Sequence, residues 1–168
     1  MTTFCESERL LLRRARPADA AFMLKLLNQA SWIRNIGDRG VRTLEDAERY
    51  IDARMLEPFR TLGYGMAVIE LRATREPVGL CGLVKRDTLP DPDIGFALLD
   101  EHSGRGYALE AAAAVVRHAR ETLKIPRLLA IVSPSNERSG RVLEKLGFQL
   151  EAAPHVTPAG ERLNLYST

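Results

Sequence analysis

At 168 residues, with 45% apolar and 27% charged side chains, the chain has the size for one domain, 1–168, around one core, and a formal charge of +2 with arginine and glutamate interspersed excludes a nucleic-acid stripe or an acidic tail. Cys5 and Cys81 are too few for a disulfide framework, and neither lies near another Cys or a His at metal-ligand spacing. No run approaches about 18 apolar residues and Met1 to Arg16 has no apolar leader segment, so the expectation is a cytoplasmic protein with no membrane, nucleic-acid or metal partner.

Leu10 to Leu12, between Arg9 and Arg13, form a short strand. Pro17 and Asp19 open a helix through Ala20, Phe22, Met23, Leu26 and Leu27 that fades near Asn28. Gly37 and Gly40 make Trp32 to Arg42 a loop. Thr43, with Asp46 at the third helical position, caps a helix reaching about Phe59, and Gly63 and Gly65 mark its exit. Three strands follow, Tyr64 to Leu71, Val78 to Lys85 and Asp93 to Leu99, separated by Arg72 to Pro77 and by Leu89-Pro90-Asp91-Pro92, and they form an antiparallel meander. The pattern then becomes helix, strand, helix over Tyr107 to Leu123, Leu128 to Val132 and Asn136 to Leu146. Phe148 to Glu151 and Leu163 to Tyr166 close the chain as strands.

Ser103-Gly104-Arg105-Gly106-Tyr107-Ala108 places two glycines at the mouth of the long helix. Glycine lets a ligand approach the backbone, and the first N–H groups of a helix have no internal partner, so the segment suits an anion such as a pyrophosphate. No Gly-Lys-Ser/Thr follows, and the third glycine and distal acid of a dinucleotide fingerprint are missing. At about 100° per residue Ala108, Ala111, Ala112, Val115, Ala119 and Leu123 share one face and Glu110, Arg117, Arg120, Glu121 and Lys124 the other. The alanine face packs on a sheet and holds the glycines at its edge. Asn136 caps the next helix, and the spacing of Ser139, Leu143 and Leu146 turns Ser139 inward toward that edge.

The blocks Gly104-Arg105-Gly106-Tyr107-Ala108-Leu109-Glu110-Ala111, Asn136-x-x-Ser139 and Leu143-Glu144-Lys145-Leu146-Gly147-Phe148, in this order, resemble the GNAT N-acetyltransferase superfamily. The look is nearest to its branch of Rim-type ribosomal-protein N-terminal acetyltransferases, which Glu8-Arg9-Leu10-x-Leu12-Arg13 and Asp93-Ile94-Gly95-Phe96 also match. The resemblance implies an α/β (α+β) fold: a mixed, mostly antiparallel sheet of about seven strands, a V-shaped splay between strands four and five, and about four flanking helices. It implies acetyl-CoA, with the pyrophosphate on the backbone of His102, Gly104, Arg105, Gly106, Tyr107 and Ala108 and the pantetheine along Phe96, Ala97 and Leu98 like an added strand. Asn136 and Ser139 would order this cofactor, and Arg138 and Arg141 are partners for its 3′-phosphate. Glu101 departs from the Gln or Arg that relatives often carry there, and is expected to point to solvent.

Acetyl transfer needs a neutral amine, a donor for the charge growing on the carbonyl, and a proton for the departing thiolate. By resemblance Ser139 protonates the thiolate and a backbone N–H of Phe96 to Leu98 polarises the carbonyl. Asp93, at the acidic position that opens this strand, takes the amine's proton through water, while Glu110 reads as complementing the helix dipole and Tyr166 as packing. The expected activity is transfer to a primary amine, a protein N-terminus or a small molecule, by direct attack in a ternary complex. The alternatives are an acyl-CoA sensor or scaffold without turnover and a nucleotide-binding domain. Trp32 to Arg42 and Pro154 to Leu163 flank the acceptor side, where the mixed signs of Arg34, Asp38, Arg39 and Arg42 name no acceptor; oligomeric state is not legible.

Overall fold

In the computed structural model, which describes residues 2–168, one large sheet carries every helix. β1 (Thr3–Glu6), β2 (Leu10–Arg13), β3 (Met66–Leu71), β4 (Pro77–Val84) and β5 (Asp93–Leu98) are antiparallel neighbours in that order. β6 (Leu129–Val132) joins β5 in parallel, and β9 (Arg162–Ser167) pairs antiparallel with β6, β7 (Gln149–Leu150) and β8 (His155–Val156). The helices are α1 (Ala20–Asn28), α2 (Ala30–Asn35), α3 (Leu44–Tyr50), α4 (Glu57–Leu62), α5 (Tyr107–Glu121) and α6 (Glu137–Lys145).

The two-residue period of the strands builds a core on each face. Ala67 and Cys81, paired across β3 and β4, face the cluster that holds Ala111, Ala112, Val115 and Ala119 of α5, so the alanine face packs as its periodicity requires. The next pair, Val68 and Leu80, faces Met23 and Leu26 of α1 on the other side. Leu143, fully buried in the first cluster, fastens α6, with burial worth about 1.5–3 kcal/mol.

Arg13 breaks the apolar pattern, for all four residues of β2 are buried. Its Nε donates to Glu70 Oε2 at 2.7 Å, and Nη1 and Nη2 donate to the two carboxylate oxygens of Asp19 at 2.8 and 2.9 Å. Two carboxylates on one buried guanidinium tie β2, β3 and the turn before α1. Removing one member of such a set strands a buried charge, at a cost of about 3–5 kcal/mol.

The described residues form nine strands and six α-helices where about seven and about four were expected. β1 and β8 are short and half polar, which hides their alternation. α2 occupies part of the expected Trp32 to Arg42 loop, because the chain is extended only at Gln29 and then winds again. Thr43 caps α3 as expected, with Asp46 N donating to Thr43 Oγ1 at 3.0 Å and Thr43 N to Asp46 Oδ2 at 3.1 Å. This helix runs on past Phe59 to Leu62, since α3 and α4 are joined through a π-helical stretch, Ile51–Leu56, closed by a bond from Glu57 N to Asp52 O.

One feature of the sheet positions the site. β5 and β6 meet at Asp93 and Leu129, where Leu129 N donates to Pro92 O at 2.9 Å, and part beyond that point. β6 is held instead by β9, along its whole length from Leu129 to Val132. This is the expected V.

Candidate active site

Strand geometry decides which groups of β5 face the V. Leu99 N donates to Val78 O at 2.8 Å on the β4 side, and Pro92 O accepts on the β6 side, so even-numbered residues turn their N–H and C=O groups toward β6. The Leu98 carbonyl is taken by Gln29 Nε2 at 2.8 Å, and Gln29 Oε1 accepts from Asp100 N at 3.1 Å. The free edge is therefore the N–H and C=O of Phe96 and the N–H of Leu98. Ala97, expected to supply backbone as well, turns its backbone to Leu80 of β4 and reaches the cleft wall with its side chain.

Beyond β5 the chain makes a short turn and enters the glycine segment. Gly104 and Gly106 have φ of 80° and 81°, in the left-handed region that costs other residues about 1–2 kcal/mol. Nothing lies within 4 Å of a Cβ built on Gly104. Gly106 caps α5 with no side chain, and the first helical bond is from Glu110 N to Gly106 O, so the N–H groups of Tyr107, Ala108 and Leu109 have no intrahelical partner. His102 cannot join them: its N–H donates to Leu99 O at 2.9 Å, and its buried ring puts Nε2 at 3.3 Å from Glu76 Oε1. Arg105 is exposed and off the cleft wall. Glu101 also lies off the wall, in an exposed ion pair with Lys25, as expected.

Glu110 does more than complement the dipole of α5. It accepts from Ser7 Oγ at 2.6 Å, Arg9 N at 2.9 Å and Arg9 Nε at 2.7 Å. Burial pushes its carboxyl up, but these donations outweigh burial and hold it below its ordinary value. The Arg9 guanidinium stacks 4.7 Å from the centre of the Tyr107 ring, and one Nη lies 3.4 Å from where a Gly106 Cβ would stand. The β1–β2 turn is thus latched to the glycine segment.

Opposite β5, α6 presents Asn136 and Ser139. Asn136 Oδ1 accepts from Ser139 N at 3.3 Å, while the half-buried Ser139 hydroxyl lines the cleft with no partner among the described residues. Arg138 and Lys145 share the wall; Arg141 does not, and lies 3.8 Å from Glu137 on the outer face. A Cβ at Gly140 would come within 2.7 Å of Tyr166 Oη, so the missing side chain is what lets α6 sit against β9. Tyr166 is buried packing, its hydroxyl pushed up by burial and by Glu144.

Asp93 sits at the apex of the V, 2% exposed, with Oδ1 accepting from Arg86 Nε at 2.9 Å. Burial raises its carboxyl above the ordinary value, against the pull of Arg86 and His155. It is not on the wall of the cleft.

The cleft holds about 400 Å³ between β5, the glycine segment, α6 and α2. Trp32 to Arg42 was expected beside the acceptor as a loop; Trp32, Asn35 and Ile36 do line the cleft, but from the helix α2 and its C-terminal cap, together with Ser31, and that helix was not foreseen. The four-residue spacing of Trp32 and Ile36 was the available signal, masked by the glycines that follow. Among the described residues no His, Cys, Asp or Glu group could hold a metal ion, and no helix is long and apolar enough to cross a membrane.

Residues 9–149 match the family model of the acetyltransferase (GNAT) domain. The uncharacterized N-acetyltransferase YoaA of Bacillus subtilis (strain 168) is 30% identical over 154 residues, 90% of this chain and 85% of its own. An acetyltransferase of Agrobacterium tumefaciens superposes with a TM-score of 0.83 at 32% identity, covering 100% of this chain and 94% of that one. A RimL ribosomal L7/L12 alpha-N-protein acetyltransferase, solved with coenzyme A, shares the fold with a TM-score of 0.81 at 19% identity, over 96% and 93% of the two chains. The chain belongs to the GNAT family and is an acetyl-CoA-dependent N-acetyltransferase. Its residues suit that cosubstrate: an unobstructed glycine cradle, free N–H groups at the start of α5 and an unpaired strand edge.

Proposed function

We propose that the enzyme transfers the acetyl group to a primary amine, of a protein N-terminus or a small molecule, by direct attack with both substrates bound at once. The observation that carries this is the single-bridge V, with hydrogen-bond donors on its β5 edge and an unpartnered serine on the facing helix. Acetyl-CoA, when bound, supplies a thioester carbonyl open to attack and a thiolate leaving group.

The N–H groups of Tyr107, Ala108 and Leu109, at the positive end of α5, hold the phosphates. Arg138 and Lys145 offer the charge expected of Arg141. Phe96 and Leu98 bind the pantetheine amides as a neighbouring strand would, and an N–H of this edge polarises the acetyl carbonyl, a role worth about 2.7–4 kcal/mol. Ser139 Oγ has no competing partner and relays a proton to the thiolate, regaining one from water as it does so. Asn136 fixes the turn that presents it. Asp93, its carboxyl raised by burial at the apex of the V, does not itself line the cleft, so it takes the amine's proton only across a relay of water.

The test is release of free CoA thiol with N-terminal peptides, polyamines, amino acids and aminoglycosides. Turnover with any of them supports the reading. Silence with all, while acetyl-CoA still raises the melting temperature, replaces it with an acyl-CoA sensor.

A further inference from the structure

The charges beside the cleft have mixed signs in sequence, and the ion pairs sort them. Asp38 is bound by Arg42 Nη2 at 2.5 Å and by Gly40 N at 2.8 Å. Asp46 is spent on the N–H groups of Arg42 and Thr43, at 3.0 and 3.1 Å, and on Arg49. Asp52 and Glu57 share Arg60. No described acid pairs with Arg34, Arg39 or Arg54, and of the acids from Asp38 to Glu57 only Glu45 and Glu48 of α3 are likewise without an ion pair.

Arg39 and Arg54 converge on a groove of about 250 Å³ that they line with Val41, Arg49 and Tyr50, and its one acid is the already committed Asp46. Glu45 and Glu48 of α3 do not line it. Ala53 and Arg54 belong to the π-helical stretch, whose extra residue per turn widens the rod at this point. Ile36 is on the cleft wall and Arg39 is three residues on, at most about 10 Å of chain. The backbone of the groove's first lining residue therefore starts within about 10 Å of the cleft wall.

We propose that this groove is a second recognition site for the acceptor, binding the carboxylate of a Glu or Asp in a protein segment whose amine lies in the cleft. It rests on the N-acetyltransferase reading above. Arg39 and Arg54 present planar donor forks that suit a carboxylate, and an extended peptide places its third or fourth residue about 10 Å from its amine. Ile36, on the cleft wall, and Ile33, on the same helix segment, are both exposed and offer apolar surface beside the cleft.

The experiment compares hexapeptides with a free N-terminus that differ only in carrying Glu, Gln or Lys at the third and fourth residues. Wild type and the double variant Arg39→Gln/Arg54→Gln are both tested, after equal melting temperatures show that both fold. Thiol release should give the Glu peptide a KM lower than the Gln peptide by on the order of tenfold, with equal kcat, and both the variant and about 0.5 M salt should erase the difference. Equal KM for the Glu and Gln peptides, or a preference that survives in the variant, overturns the groove. If no amine releases thiol, the enzymatic reading fails and binding is read from the fluorescence of Trp32, the only tryptophan. A Glu-peptide preference lost in the variant then still supports the groove, and no preference refutes it.

Discussion

Ser139→Ala separates chemistry from folding because the two respond oppositely. The substitution deletes a hydroxyl that no described residue binds and keeps the backbone N–H that donates to Asn136, so the cap of α6 survives. Alanine is the better helix former by up to about 0.5 kcal/mol, so the melting temperature should hold or rise slightly. Loss of a general acid costs about 10²–10⁴-fold, or about 2.7–5.5 kcal/mol at about 1.36 kcal/mol per tenfold. A thiolate needs its proton less than an alkoxide would, which places the expectation at the lower end: kcat down about 100-fold, with little change in the KM for acetyl-CoA. Thiol release at saturating acceptor measures the first quantity and calorimetry the second. A kcat within about twofold of wild type would refute the role of Ser139.

Asp93→Asn tests the apex. Because burial raises this acid, the native chain binds its proton more tightly than the unfolded chain, so stability falls as pH rises from the ordinary value of 3.8 through the folded value. Asparagine carries no such penalty and the partly exposed Arg86 can rehydrate; the melting temperature at neutral pH should not fall, while kcat/KM drops on the order of 100-fold and its ascending acid limb disappears. A lower melting temperature with an unchanged pH profile would make Asp93 a clamp instead. Glu110→Ala should release the β1–β2 turn from the glycine segment and raise the KM for acetyl-CoA by on the order of tenfold, with kcat kept, and an unchanged KM would show that the latch does not order the loop. Since the Glu110 carboxyl is depressed, its stabilisation is present above its ordinary 4.5 and lost as pH falls through the folded value, so the variant's stability deficit should vanish in acid.

The geometry of the β5, α5 and α6 side of the cleft was legible because it is local. Gly104 and Gly106 adjoin the helix they cap, Asn136 and Ser139 lie within one turn, and the alanine face declares itself through a period of about 3.6 residues. Single members of that side were not legible. Phe96, Ala97 and Leu98 are contiguous in sequence, yet which of them faces the V follows from bonds made by Pro92 and Leu99. His102 drops out because a turn consumes its N–H, and Arg141 because α6 turns it outward. Arg13 reads as the polar end of a strand until Asp19 and Glu70 are seen to enclose it.

The acceptor half is assembled from distant parts, which is why residues 29–54 read as a loop and a helix of mixed charge. Gln29 reaches across 69 residues to Leu98, and Ser31 donates to Asp100 at 2.7 Å. These bonds dock α2 against the end of β5 and make one cleft of two sequence regions. The division has a kinetic consequence. Changes at the latch of Ser7, Arg9 and Glu110 should move the KM of acetyl-CoA, whereas changes at Arg39 and Arg54 should move only that of the acceptor, because among the described residues no hydrogen bond or shared lining residue links the groove to the glycine segment. A variant in either set that shifts both constants together would mean that α2 transmits between the two halves, and Gln29, bonded at once to Leu98 and Asp100, is the residue through which it would do so.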